Sequence, residues 1–171
     1  MAGEIYFTSA NLDRAIVATT WSDPESLPRT RASGASPYIL VDRSGTIIVA
    51  YSVPLNEGRG IYLISSDDGG ESWSDPVRVF DGVAAGWEMV GDPRIDKRDN
   101  GEIHVLWPRY SLPPDAATTG LYYTQSSDGV NWMEPGVVVN KPVAWSDVSG
   151  IGERTVQRVW QEVNSGRITL W

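Results

Sequence analysis

Apolar residues in this chain fall into short runs with no sustained helical stripe. Tyr38-Ile39-Leu40-Val41 is a continuous apolar run of strand length. Asp42-Arg43-Ser44-Gly45 is a turn cluster. Thr46 to Val53 is β-branched and aromatic, and predicts a second strand. A polar loop from Pro54 to Gly60 leads to a third strand over Gly60 to Ser66. The tight turn Asp67-Asp68-Gly69-Gly70-Glu71-Ser72-Trp73 follows, then Asp75-Pro76 and an outer strand at Val77-Arg78-Val79-Phe80, where an edge tolerates proline.

The same order returns downstream. Pro93-Arg94-Ile95 opens a second unit, Asn100-Gly101 makes its first hairpin, and Ile103 to Trp107 and Leu121 to Gln125 are strands. A third unit covers Asp147 to Gly152, Thr155 to Val163 and Arg167 to Trp171. Asp13 to Thr20 and Gly82 to Val90 read as loop insertions. A tryptophan, one residue, an acid and a proline recur as Trp21-Ser22-Asp23-Pro24, Trp73-Ser74-Asp75-Pro76 and Trp132-Met133-Glu134-Pro135. Pairs of a bulky apolar residue and tyrosine recur in step at Ile5-Tyr6, Ile61-Tyr62 and Leu121-Tyr122. Repetition at about 50–60 residues marks an array of similar supersecondary units.

Four antiparallel strands per unit, apolar on both faces, predict an all-β fold, a β-propeller in which neighbouring sheets cover one another. The expected division is a partial blade over 1–28, blades over 29–80 and 81–139, and a partial blade over 140–171, about three blades in all.

Ser66-Asp67-Asp68-Gly69-Gly70-Glu71-Ser72-Trp73 fits the pattern Ser-x-Asp-x-Gly-x-Ser/Thr-Trp, and Ser126-Ser127-Asp128-Gly129-Val130-Asn131-Trp132 is a shortened copy. The chain thereby resembles the sialidase superfamily, whose repeats are called BNR repeats or Asp boxes. The resemblance implies a six-bladed ring of about twice this length. Half a ring would be completed by a second copy of the chain in a homodimer, or by the rest of a longer protein. It also implies that the boxes are structural and lie opposite the active face, so Asp67, Asp68 and Asp128 are not expected to be catalytic. Sialidases grip a carboxylate with three arginines and use a tyrosine nucleophile, a glutamate and an aspartate. Here the nearest match to their Arg-Ile-Pro motif is Pro93-Arg94-Ile95, in a different order, and no Tyr–Glu couple can be matched. No catalytic role is carried over.

Composition narrows the field. A formal net charge of −8 argues against a nucleic-acid backbone as partner. No apolar run reaches membrane length. Without cysteine there is no disulfide or thiolate site. The Asp-rich turns lack EF-hand spacing, so no metal and no cofactor is expected. Met1-Ala2-Gly3-Glu4 has neither region of a signal peptide, which leaves localisation open. His104, the sole histidine, alternates with Ile103 and Val105 on a strand and reads as a packed residue, which disfavours a Ser-His-Asp centre.

Short repetitive hairpins on one face leave the long irregular loops on the other, where scaffolds carry function. Those loops run from Pro28 to Ser36, Pro54 to Gly60, Asp81 to Asp92, Pro108 to Gly120, Asn140 to Asp147 and Asn164 to Gly166. They hold Arg29, Arg31, Arg59, Trp87, Arg109, Tyr110 and Trp145 as candidate substrate-binding residues, with Glu57 and Asp115 nearby. Glu88, Asp92 and Asp147 are the candidate general acid or base. Arginine beside aromatic rings and carboxylates suits a sugar. The expected function is carbohydrate binding or glycoside hydrolysis. The alternative is a non-catalytic scaffold for a protein partner.

Overall fold

The computed structural model describes residues 3–28, 30, 33–114, 117–151, 155–163 and 168–170. Its strands are β1 (Tyr6–Phe7), β2 (Glu25–Ser26), β3 (Ala35–Val41), β4 (Ile47–Val53), β5 (Gly60–Ser66), β6 (Val77–Asp81), β7 (Met89–Val90), β8 (Arg94–Lys97), β9 (Ile103–Tyr110), β10 (Thr118–Ser126), β11 (Gly136–Val139), β12 (Val143–Ile151), β13 (Thr155–Glu162) and β14 (Ile168–Leu170). One short 3-10 turn spans Ala18–Thr20, inside the stretch read as an insertion. All pairings between these strands are antiparallel, and they form the sheets β1-β2, β3-β4-β5-β6, β11-β10-β9-β7 with β8 also on β9, and β12-β13-β14. β7 pairs with the Tyr110 end of β9 and β8 with its Ile103 end. They occupy one edge position, interrupted at Gly91-Asp92-Pro93.

The two-faced apolar pattern has a direct packing consequence. Side chains alternate across a strand. On β4, Ile48 and Ala50 join a core shared with Ile95, Val105 and Trp107 of the next sheet. Ile47, Val49 and Tyr51 join a second core with Ile5 and Leu27. On β9, Leu106 turns the other way, into a third core with Leu121, Val143, Val148 and Trp160. Each central sheet is therefore covered on both faces by its sequence neighbours. Strand β8 adjoins both β3 and β12, strands of the sheets on either side of it.

The repeated turns are closed by their own side chains. Asp68 accepts from the Ser72 amide at 2.9 Å and the Ser72 hydroxyl at 2.5 Å, and from the Ser66 hydroxyl at 2.7 Å. Those donors, Ser72 first, hold its carboxyl well below the usual range. Asp128 is held down in the same way, chiefly by Asn131. One backbone bond recurs at all three copies of the tryptophan-acid-proline phrase: Ser22 N to Ser9 O at 2.8 Å, Ser74 N to Ser65 O at 2.8 Å and Met133 N to Gln125 O at 3.0 Å. The residue after each tryptophan thus ties the turn back to the preceding strand or its continuation.

Gly70 adopts φ of 101° and is buried where a Cβ would fall 2.3 Å from the Phe7 ring. Gly70→Ala is expected to cost about 2 kcal/mol, from left-handed strain plus overpacking. Urea denaturation measures it, and a loss below about 0.5 kcal/mol, the range of neutral surface changes, would contradict the fit described.

Candidate functional site

Strand direction separates two ends. Ser66 and Ser126 close β5 and β10 at the end that carries the tryptophan-bearing turns. Arg94, Tyr110 and Val143 lie at the other end, where the Thr118 hydroxyl donates to Val143 O at 2.6 Å. There Asp92, Arg94, Pro108, Tyr110, Val143, Ala144, Trp145 and Ser146 line a recess of about 60 Å³. That is room for about two waters, so the recess is a contact point for part of a ligand rather than an enclosure for a sugar ring.

The interrupted edge strand builds its floor. Asp92 has φ of 43°, a left-handed conformation that aspartate tolerates better than most residues. Gly91 precedes it so closely under the Tyr110 ring that a Cβ would sit 3.0 Å from Cε2. The Tyr110 hydroxyl donates to Asp92 Oδ2. Burial, and then the Asp92 carboxylate, push that hydroxyl well above its ordinary pKa. Arg94 donates from Nη1 to Pro93 O at 2.9 Å, and its guanidinium lies 5.0 Å from the centre of the Tyr38 ring. Trp145 stands beside them on β12, 47% exposed. Asp147, two residues on, acts on Tyr38: burial chiefly raises that hydroxyl's pKa, Asp147 and Asp96 add to the rise, and Arg94 opposes it.

Several expected residues belong elsewhere. Trp87 is buried in the core, its ring 4.5 Å from Phe80 and 4.3 Å from Tyr122. Arg109 lies 5.2 Å over Trp87, and Arg59 donates from Nε to Trp87 O at 2.6 Å and from Nη1 to Asn56 O at 3.0 Å. The three form a knot that fixes the 81–90 loop. Glu57 and Glu88 are exposed outside the recess. Arg29, Arg31, Asp115 and the 164–166 loop lie outside the described residues. Arg109, Tyr110, Trp145 and Asp147, expected in loops, sit on β9 and β12, because strand pairing runs further than the apolar pattern does. Arg94, Tyr38 and Ser146 were not among the expected site residues. The string Pro93-Arg94-Ile95 at a strand start was the available signal for Arg94.

The opposite end is a wider, charged cavity of about 670 Å³ with Asp42, Arg43, Asp96, Lys97 and Asp99 on its wall. Lys97 Nζ lies 2.7 Å from Asp42 Oδ2, and Arg43 pairs with Asp99 at 2.5 Å. The Lys97 bond, then Ser44, lowers the Asp42 carboxyl to about 2. A depressed carboxyl contributes stability above its unfolded pKa and loses it as acid protonates it. Stability is therefore expected to fall between about pH 4 and pH 2, and Lys97→Met is expected to flatten that part of the profile. Urea midpoints across this window measure it, and equal acid slopes in both proteins would contradict the pairing.

No family model and no curated protein matches the sequence. Solved structures do match. The Penicillium chrysogenum alpha-L-arabinanase complexed with arabinobiose aligns with a TM-score of 0.60 at 14% identity, over 98% of this chain and 51% of that one. A Hadza microbial sialidase aligns with a TM-score of 0.54 at 18% identity, over 88% of this chain and 35% of that one. An N-acetylgalactosamine deacetylase from F. plautii, in complex with blood group B trisaccharide, aligns with a TM-score of 0.51 at 19% identity, over 83% of this chain and 43% of that one. The chain thus spans about half the length of the arabinanase and less than half of the other two. The arabinanase and the sialidase are carbohydrate-active propeller enzymes, and at these identities the likeness is one of fold.

Proposed function

We propose that this chain is a segment of a carbohydrate-active β-propeller of sialidase-like, Asp-box type, which binds a glycan or cleaves a glycosidic bond at the end opposite its tryptophan-bearing turns. The observation that carries this reading is the convergence of Asp92, Arg94, Tyr110 and Trp145 on one recess. In this reading Asp92 is the general acid or base, with Asp147 as its candidate partner. Trp145 stacks on the sugar's apolar face. Arg94 and Tyr110 orient the carboxylate and the ring. The sheets β3-β6 and β7-β11 are two blades, with partial blades at either side. The remaining half of the ring comes from a second copy or from further chain. Ile39 and Val41 on β3, 55% and 58% exposed, support the presence of a further cover. Light scattering separates the two sources: a mass of twice 18.8 kDa supports the second copy.

The test of the binding reading is Trp145→Ala. Loss of the stacking face is expected to weaken an oligosaccharide that the parent chain binds by about tenfold, or about 1.4 kcal/mol. An unchanged Kd by calorimetry would remove Trp145 from the site.

A further inference from the structure

We infer that the recess selects a neutral sugar over one bearing a carboxylate, an inference that rests on the carbohydrate reading above. Among the described residues Arg94 is the only cation lining the recess. Its guanidinium is engaged by the Tyr38 face and by Pro93 O. Capture of a carboxylate needs arginine forks that present paired donors. Among the described residues, Arg59 and Arg109 do not line the recess: Arg59 gives its Nε and Nη1 donors to Trp87 O and Asn56 O, and Arg109 stacks over the Trp87 ring.

The acidic side outweighs Arg94. Asp92 lines the recess itself and already takes the Tyr110 hydroxyl, the nearest phenolic donor. Asp147 on β12, two residues from Trp145, adds negative charge at Tyr38, where it opposes the influence of Arg94. The chain as a whole carries a formal −8, which repels anionic ligands at long range. A sugar carboxylate entering here meets Asp92 before any free fork. A sugar hydroxyl meets a charged acceptor, and a ring face meets Trp145. The expected ligand is therefore a neutral glycan.

The experiment is an NMR titration of the full chain with three probes: arabinobiose and blood group B trisaccharide, both neutral, and sialyllactose, which carries a carboxylate. At low salt at least one neutral probe is expected to bind about tenfold or more tightly than sialyllactose, a gap of about 1.4 kcal/mol. Raising the salt is expected to narrow that gap, because screening weakens the repulsion. Sialyllactose binding as tightly as the neutral probes, or a gap that salt leaves untouched, overturns the inference while the carbohydrate reading stands. Binding of none of the three overturns the carbohydrate reading, and the inference with it.

Discussion

Replacing Trp107 by alanine is expected to cost about 3–5 kcal/mol, the range for truncating a fully buried tryptophan. Trp107 has no exposed surface and sits where two sheets face each other, its ring 5.2 Å from Phe80 on the neighbouring sheet. Ile48, Ala50, Ile61 and Val105 share that core. The cavity would open in the seam between sheets, so the loss reports their face-to-face stacking rather than the strength of one sheet. Urea denaturation followed by fluorescence of the remaining tryptophans measures it. A loss below about 1.5 kcal/mol, as for a partly exposed side chain, would show that the two sheets do not cover each other as described.

The second large effect is expected at Asp92. Asparagine keeps the size of the side chain, tolerates the left-handed φ of 43° and still accepts from Tyr110. It cannot shuttle a proton. Under the glycosidase form of the reading, Asp92→Asn is expected to lower cleavage about 10²–10⁴-fold, the usual worth of a positioned acid or base. Nitrophenyl glycosides give the assay, and the thermal transition of the variant shows that folding is intact. A fall of less than about threefold, under 1 kcal/mol by rate arithmetic, would leave Asp92 without a catalytic part.

The residues that were legible from sequence are those whose chemistry is local. Asp68, Gly70, Ser72 and Trp73 make a turn from neighbours a few positions away, and the positive φ at Gly70 is the kind only a missing Cβ makes easy. The strands of the unit from β3 to β6 were legible because Ile, Val and Tyr alternate onto two apolar faces. The site was legible only in part, because it depends on distant pairing. Tyr110 follows Pro108-Arg109 and Trp145 lies just after Lys141-Pro142, so both read as loop, yet pairing with Thr118 and Gln161 keeps both on strands. Trp87 reads as a loop aromatic, and only its packing on Phe80 and Tyr122 makes it core. The break at Asp92 leaves no trace in composition, since a left-handed aspartate looks like any other acid before a proline.

The claim on which the rest depends is that ligand chemistry belongs to the recess end and architecture to the tryptophan-bearing turns. The eight tryptophans offer a direct reading, because each indole N–H gives its own NMR signal. On titration with a neutral oligosaccharide the Trp145 signal is expected to move in a saturable way, while those of Trp73 and Trp132 stay in place. Movement of Trp73 or Trp132 with Trp145 unmoved would contradict the account.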